Sequence, residues 1–233
     1  MKIRPKKSLG QNFLKDDNIL DLIVKLGEIK DINTVLEIGP GTGNLTDKII
    51  KKNPLKLIVV EKDNELARKL RMKFKENIIL INDDILKVKE EDLIYNKMIV
   101  FGNLPYNIST QLLIKWIMTP KWLPWYSCLV LMFQKEVADR IIGKISSNAY
   151  GRLSIMANFR LKIKKEFDVS RNCFFPKPKV NSSIMTFYPI TNIDYKNLKI
   201  KNLEYITRNF FSNRRKMIRK KYYKIFKSDE VKN

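Results

Sequence analysis

A glycine-rich segment at residues 39–43, Gly-Pro-Gly-Thr-Gly, constrains the fold of this chain more than any other feature. The apolar run Thr34–Ile38 before it is typical of a buried strand. After the glycines, apolar residues recur at helical spacing, at Leu45, Ile49 and Ile50. Strand, glycine loop and helix in this order form the nucleotide-binding unit of α/β folds, because the glycines let the backbone approach a ligand. We therefore expect an open, mostly parallel sheet covered by helices.

The spacing of the glycines indicates the kind of ligand. A dinucleotide site uses Gly-x-Gly-x-x-Gly, whereas Gly43 comes one residue early here and position 44 is asparagine. No Gly-Lys-Ser/Thr follows, so the segment is not a phosphate-binding P-loop. The pattern favours S-adenosyl-L-methionine, with Gly39 and Gly41 in contact with it. A glycine turn without a ligand is the alternative.

Acidic residues follow the next two predicted strands. The strand Lys56–Val60 ends on Glu61, about 20 residues past the glycines, where an acid can hold ribose hydroxyls. A solvated charge or a helix cap is the alternative for Glu61, although Asp63 is the better candidate for the cap. A strand over residues 78–81 leads to Asp83 and Asp84. A carboxylate there can accept from an adenine amine, and we favour Asp84 without excluding Asp83.

A polar tetrad, Asn103-Leu104-Pro105-Tyr106, follows the apolar strand Met98–Gly102. The side-chain oxygen of Asn103 and the backbone carbonyl of Leu104 can accept both hydrogens of an exocyclic amine. The ring of Tyr106 can stack on the base, while Pro105 stiffens the turn. A proline-terminated strand with a half-buried tyrosine is the alternative. The residues expected at successive strand ends, in one crevice of a parallel sheet, are Gly39, Glu61, Asp84 and Asn103.

The rest of the chain completes the α/β pattern and adds an aromatic loop. Asp16 or Asp17 can cap a first helix. The later predicted elements are helices over residues 108–118 and 134–143 and strands over residues 127–133, 162–167 and 182–188. The loop at residues 173–180 sets aromatic rings beside prolines and the basic residues Lys177 and Lys179, which suits a flipped base and its phosphates. A proline-stiffened loop with a core phenylalanine is the alternative.

Charge and residue usage narrow the function further. Lys and Arg number 46 against 24 Asp and Glu, a formal net charge of +22, which predicts a polyanionic partner and nucleic acid first. The chain has no histidine, which excludes Ser-His and Cys-His nucleophile pairs and histidine metal sites. Two cysteines without metal or disulfide spacing fit a reducing cytosol. No apolar run has the length of a membrane span, and the basic N-terminus lacks the apolar part of a secretory signal.

Composition shifts near residue 191. We expect a domain over residues 1–190 with a basic N-terminal arm, and a small helical RNA-facing domain over residues 191–233. The last 40 residues carry 13 Lys or Arg against 4 Asp or Glu. Leu203, Ile206, Phe210 and Phe211 give this segment an apolar stripe at helical spacing. A solvated basic tail is the alternative.

Taken together, these stretches resemble one family almost end to end. The matching segments are residues 8–14 (Ser-Leu-Gly-Gln-Asn-Phe-Leu), 37–43, 101–109, 134–138, 150–154, 175–180 (Phe-Pro-Lys-Pro-Lys-Val) and 213–216 (Asn-Arg-Arg-Lys). They are similar to the rRNA adenine N6-methyltransferase family, in particular its small-subunit (16S-type) dimethyltransferases. The resemblance implies a class I S-adenosyl-L-methionine-dependent methyltransferase fold: α/β, Rossmann-like, with a mostly parallel seven-stranded sheet and a small α-helical C-terminal domain. It also implies N6,N6-dimethylation of two adjacent adenosines near the 3′ end of small-subunit rRNA, within a pre-ribosomal particle.

Residue by residue, the motif match adds roles that the pattern alone does not give. Asn12 and Leu14 would join the strand-end residues around the cofactor, and Phe174 would cover the face of the adenine opposite Tyr106. The RNA-binding residues implied by the basic stretches are Lys177, Lys179, Arg214, Arg215 and Lys216. We expect a cytoplasmic monomer without a metal or a membrane partner.

The chain departs from the family pattern in two places. It is shorter than members usually are, with the difference in the C-terminal domain, and Gln111 stands where the family often has proline. A large-subunit rRNA methyltransferase that confers antibiotic resistance is one alternative, and a non-catalytic assembly or transcription factor is another. The intact tetrad and glycine loop argue against a non-catalytic protein, while the glycine spacing and the missing histidine disfavour a nicotinamide dehydrogenase.

Overall fold

A computed structural model describes residues 4–89, 97–119, 122, 124–192, 199–212 and 222. In chain order the strands are β1 (Phe13–Leu14), β2 (Thr34–Ile38), β3 (Lys56–Val60), β4 (Ile79–Ile81), β5 (Met98–Gly102), β6 (Tyr126–Gln134), β7 (Leu161–Val169), β8 (Phe174–Phe175) and β9 (Ser182–Pro189). The helices are α1 (Asp17–Leu26), α2 (Asn44–Ile50), α3 (Asn64–Phe74), α4 (Tyr106–Ile117), α5 (Lys135–Ile141), α6 (Arg152–Arg160) and α7 (Ile200–Phe211).

Seven strands form the main sheet in the order β4-β3-β2-β5-β6-β9-β7. The five strands from β4 to β6 pair in parallel, and β9 runs antiparallel to both of its neighbours, β6 and β7. The predicted mostly parallel seven-stranded α/β sheet is therefore confirmed. From β2 the chain adds β3 and then β4 on one side, and it then returns to place β5 on the other side of β2. This reversal of strand order opens a crevice at the carboxyl ends of β2 and β5.

The central strands are buried on both faces, which explains their predominantly apolar sequences. All five residues of β2 and all five of β5 are buried. Val35 faces a core cluster that includes residues of α1, α2 and α3, and the next residue, Leu36, faces the opposite cluster with Trp116 of α4. Helices α5 and α6 also contribute to this second cluster. The sheet is thus the middle layer of three.

Helix starts follow the predicted capping. The Asp16 carboxylate accepts from the backbone N–H of Ile19 at 3.1 Å and so caps α1. Asp63 caps α3 by accepting from the backbone N–H of Glu65 at 2.9 Å. Each of these bonds satisfies a backbone donor that the first helical turn leaves without a partner. Both helices are amphipathic, so capping and apolar periodicity specify them together.

Helix α6 differs from the sequence prediction, which had no helix at residues 152–160. The helix ends on Arg160, whose side chain is 1% exposed and donates to the carbonyls of Ile117 at 2.5 Å and Thr119 at 2.7 Å. Two of the four buried residues of α6, Ser154 and Arg160, are polar, so the buried face of this helix is not an apolar stripe. Helix α4 also begins two residues earlier than predicted, directly after Pro105.

A second, two-stranded sheet pairs β1 of the N-terminal segment with β8. Helix α7 packs on α6, with an ion pair between Arg152 and Glu204 at 2.7 Å. The predicted boundary between two domains at residues 190 and 191 stays a prediction, because much of the chain beyond it lies outside the described residues. Among the helices that the structure describes, none is long and apolar enough to cross a bilayer.

Candidate active site

A cavity opens at the carboxyl ends of the central parallel strands, where the sequence predicted a crevice. It is closed on one side by residues 8–14 of the N-terminal segment and by β8. The predicted site residues that line it are Asn12, Leu14, Gly39, Gly41, Glu61, Asp84, Asn103, Leu104 and Phe174. The residues that follow β2, β3, β4 and β5 converge here as the strand order requires, and Asn12, Leu14 and Phe174 reach the same cavity from the β1–β8 sheet and the residues before it.

The glycine loop provides a close-packed edge of this cavity. Gly39 and Gly41 have φ angles of +67° and +59°, a left-handed conformation in which glycine avoids the steric cost of a side chain. A Cβ atom at Gly41 would lie 2.9 Å from the ring of Phe13, whereas one at Gly39 would meet nothing closer than the Asn103 carbonyl oxygen at 3.6 Å. Gly43 does not line the cavity, and a Cβ atom there would lie 2.6 Å from Phe74 of α3. Its role is close packing against α3.

Glu61 directly follows β3, and its side chain contacts the glycine loop. It is 6% exposed, and its Oε2 atom accepts from the backbone N–H of Gly41 at 3.1 Å. Oε1 accepts from the backbone N–H of Asp63 at 2.8 Å. Burial raises the pKa of Glu61, and hydrogen bonds from the backbone N–H groups of Asp63, Gly41 and Lys62 oppose that rise. A carboxylate has about four acceptor positions, so these backbone groups do not use all of the capacity of Glu61 to accept from a ligand hydroxyl.

Asp83 and Asp84 both line the cavity after β4. The Asp84 carboxylate accepts from Lys62 Nζ at 2.9 Å and from the backbone N–H of Leu86 at 3.0 Å. Burial acts to raise the pKa of Asp84, but the hydrogen bond from Lys62 leaves it below its ordinary value. Asp83 is exposed and accepts from the backbone N–H of Asp84 at 2.6 Å. The preference for Asp84 over Asp83 as the partner of an adenine amine stays a prediction.

The tetrad lies on the opposite side of the glycine loop from Glu61. Asn103 and Leu104 follow β5 and line the cavity, and the Leu104 side chain, at 3% exposure, packs into the core. The Leu104 side chain therefore anchors the turn that follows β5. Tyr106 is the first residue of α4, but its side chain lies outside the described part of the structure. Stacking by Tyr106 stays a prediction, while Phe174 lines the cavity from β8 at 6% exposure.

Hydrogen bonds that the sequence analysis missed hold the N-terminal segment over the cavity. Lys6 Nζ and Gln11 Nε2 each donate to the Asp63 carboxylate at 2.8 Å. Asn44 Nδ2 donates to the backbone carbonyl of Leu14 at 2.8 Å. In the sequence, Asn44 indicates only that the dinucleotide fingerprint is broken. Its amide in fact ties the segment to the first residue of α2.

Glu37 is a further cavity residue without a predicted role. It is 1% exposed within β2 and accepts from Thr46 Oγ1 at 2.7 Å. Burial raises the pKa of Glu37 to about 8, against the lowering effect of the Thr46 hydroxyl. The available sequence signal was an acid inside an otherwise apolar strand, two residues before the first glycine.

The predicted RNA-binding residues fall outside the cavity. Lys177 and Lys179 are exposed on the loop after β8, and Lys179 lines a separate groove with Arg171 and Arg152. Arg214, Arg215 and Lys216 lie outside the described residues. Within the part of the chain that the structure describes, no group of three or more His, Cys, Asp or Glu side chains is placed to hold a metal ion.

Three features together define a class I methyltransferase fold: the parallel sheet whose strand order reverses between β2 and β5, the glycine loop, and the acids at successive strand ends. Solved structures support this assignment. The chain is similar to a dimethyladenosine transferase from Plasmodium falciparum, with a TM-score of 0.74 and 32% identity over 90% of this chain and 74% of that one. It also shares its fold with the 23S rRNA methyltransferase ErmE, with a TM-score of 0.75, 24% identity and coverage of 94% and 86%.

Sequence comparisons identify the family within this class. The family model described as ribosomal RNA adenine dimethylase matches residues 3–233. The chain is 53% identical to the ribosomal RNA small subunit methyltransferase A of Pelagibacter ubique, over 97% of this chain and 86% of the relative. It is 43% identical to the protein of the same name from Wolbachia sp. subsp. Drosophila simulans, over 93% and 79%. The chain belongs to the ribosomal RNA adenine dimethylase family.

Proposed function

We propose that the chain transfers methyl groups from S-adenosyl-L-methionine to the N6 amines of two adjacent adenosines near the 3′ end of small-subunit rRNA. The observation that carries the proposal is one cavity lined both by Glu61 and Asp84, suited to a nucleoside, and by Asn103 and Leu104, suited to an amine. Family membership and the small-subunit relatives support the choice of rRNA. The reaction would accompany assembly of the subunit in the cytoplasm.

The residues around the cavity fit the proposed cofactor. Gly39 leaves space where a side chain would stand, Gly41 lets Phe13 pack against the glycine loop, and the remaining acceptor capacity of Glu61 suits ribose hydroxyls. Asp84 or Asp83 would accept from the adenine amine. Asn12 lines the cavity, and because its side-chain nitrogen donates to the Gly10 carbonyl at 3.1 Å, its side-chain oxygen would be the atom to accept from the cofactor. S-adenosyl-L-methionine, when bound there, supplies a methyl group that its sulfonium already activates.

The chain's own contribution is to position the acceptor amine. An adenine amine is a weak nucleophile because its lone pair is delocalised into the ring. The Asn103 side-chain oxygen and the Leu104 carbonyl would accept its two hydrogens, favour a pyramidal nitrogen and direct the lone pair into the cavity. The chain has no histidine to act as a base, so after transfer the proton would leave the amine nitrogen to water.

Aromatic rings and basic side chains would hold the RNA. Phe174 would stack on the flipped adenine opposite Tyr106, a contribution of about 1–3 kcal/mol per ring. Lys177 and Lys179, exposed beside Phe174, would bind phosphates together with Arg214, Arg215 and Lys216 of the small helical C-terminal domain. Such contacts are independent of sequence and sensitive to salt. Specificity would then come from RNA shape, with the protein acting as a monomer on the pre-ribosomal particle.

Transfer of tritiated methyl groups to unmethylated small ribosomal subunits tests the proposal directly. The label should appear as N6,N6-dimethyladenosine at two neighbouring positions near the rRNA 3′ end. Asn103→Ala should abolish transfer and leave RNA affinity within a few-fold, because it removes an amine acceptor without removing a phosphate contact. Asn103→Asp, which keeps acceptor oxygens, should retain more activity than Asn103→Ala. Label in another nucleoside would overturn the function, and full activity of Asn103→Ala would overturn the role of the amide.

A further inference from the structure

Phe175, next to the cavity residue Phe174, is a large apolar side chain that the proposed reaction leaves without a role. Its side chain is 50% exposed, while that of Phe174 is 6% exposed. The two residues form β8, and neighbouring side chains of a strand point to opposite faces. The Phe174 ring therefore lines the cavity, and the Phe175 ring is presented to solvent on the other face of β8.

A positive charge accompanies the exposed ring. Lys15 Nζ lies 4.2 Å from the centroid of the Phe175 ring, within the range of a cation–π contact. The backbone N–H of Lys15 donates to the Cys173 carbonyl at 2.9 Å, so pairing of β1 and β8 holds both residues together. Lys177 is exposed two residues after the ring. An aromatic face flanked by lysines has the composition of a single-stranded nucleic-acid contact.

We propose that Phe175 and Lys15 bind the nucleotide adjacent to the adenosine in the cavity, with its base stacked on the ring and its phosphate near the ammonium group. The proposal rests on the proposed function, which makes this neighbour the second target adenosine when the first is in the cavity. Extruding one base removes a stacking partner from the next, and an aromatic surface beside the cavity replaces it. Phe174 and Phe175 would thus hold two successive bases.

Binding to two RNA hairpins tests this contact without any methyl transfer. Both carry the small-subunit 3′-end sequence and a fluorescein label, and one is abasic at the nucleotide next to the target adenosine. Fluorescence anisotropy gives the Kd of the full chain for each hairpin. Stacking of one base on one aromatic ring corresponds to about 5- to 150-fold in affinity. Wild type should therefore bind the abasic hairpin at least fivefold more weakly.

The Phe175→Ala variant completes a double-mutant cycle with the abasic hairpin. It should bind the intact hairpin at least fivefold more weakly than wild type and show little further loss on the abasic one, because ring and base act as one pair. Phe175→Trp should stay within twofold of wild type and shows that the position tolerates substitution. Lys15→Ala should reduce the affinity for both hairpins by the same factor. It should also lower the salt dependence of the Kd by about the amount expected for one phosphate contact.

Leu55→Ala is the matched control. Leu55 is 61% exposed and directly precedes β3, so it lies at the amino ends of the strands and the cavity lies at their carboxyl ends. The proposal is overturned if Phe175→Ala changes the Kd no more than Leu55→Ala does. It is also overturned if removing the ring and removing the base each weaken binding independently, so that their fold-losses multiply in the double change. Loss of affinity for intact subunits alone would indicate a ribosomal protein partner and would also overturn it. Failure of the proposed function is separate, because it would appear as wild-type protein that does not label the adenosines.

Discussion

Replacing Glu37 with glutamine should change the pH dependence of stability. Glu37 is 1% exposed in β2, and burial raises its pKa from an ordinary 4.5 to about 8. Between these values the folded chain binds a proton that the unfolded chain has released. The free energy of unfolding of the wild type therefore falls as pH rises through this window, and Glu37→Gln, which has no proton to lose, should not show that fall.

The size of the effect follows from the two pKa values. One pKa unit corresponds to about 1.36 kcal/mol. With an unfolded value of 4.5 and a folded value of about 8, this group costs the wild type about 1 kcal/mol at pH 5 and about 4 kcal/mol at pH 8. The stability of Glu37→Gln relative to wild type should thus increase by about 3 kcal/mol across this range. The glutamine oxygen can still accept from Thr46 Oγ1, which keeps the hydrogen bond of 2.7 Å in place.

Urea unfolding at several pH values between 5 and 8, followed by circular dichroism without cofactor, measures this difference. Glu76→Gln is the control for the loss of one acid, because Glu76 is exposed, and its difference from wild type should vary by less than about 0.5 kcal/mol. Parallel pH profiles of Glu37→Gln and wild type would refute the argument. So would a Glu37→Gln variant that loses stability relative to wild type as pH rises, since that requires a charged and stabilising Glu37.

Two further predictions concern the cofactor side of the cavity. Glu61→Ala should weaken binding of S-adenosyl-L-methionine in isothermal titration calorimetry by about 10- to 150-fold, because hydrogen bonds to a charged group are worth about 1.5–3 kcal/mol; unchanged affinity would exclude Glu61 from the site. Gly41→Ala and Gly39→Ala both place a side chain at positive φ, which costs about 1–2 kcal/mol. Gly41→Ala should be the less stable in urea unfolding, since its Cβ would collide with Phe13, and equal losses would contradict that packing.

The strands that carry the site could be predicted to the residue, for a physical reason. β2, β3 and β5 are buried on both faces over most of their length, so their sequences are mainly apolar runs, interrupted by Glu37 in β2, that stop at a charged or glycine residue. Because the strands are parallel, their carboxyl ends share one edge of the sheet, and this predicts that Glu61 and Asn103 line the same cavity. Strand β7 has one exposed face and a register shift, and the predicted residues 162–167 recovered only its middle.

The closure of the cavity could not be predicted, because it depends on contacts distant in sequence. The hydrogen bonds from Lys6 and Gln11 to Asp63 span 57 and 52 residues. Strands β1 and β8 have two residues each, too few to show a period of two. The family resemblance implied roles for Asn12 and Leu14, but the local pattern around them shows no strand. Polar residues that bind other segments leave no periodic signal.

Asp63 illustrates how closing the cavity and capping a helix use the same group. Its carboxylate accepts from the first turn of α3 and also from Lys6 and Gln11, so the N-terminal segment is fixed to the residue that starts the helix after Glu61. Burial acts to raise the pKa of Asp63, and the bonds from Lys6 and Gln11 leave it below its ordinary value. The backbone N–H of Asp63 in turn donates to Glu61 Oε1. The cofactor-side acid, the helix start and the covering segment are therefore positioned as one hydrogen-bonded unit.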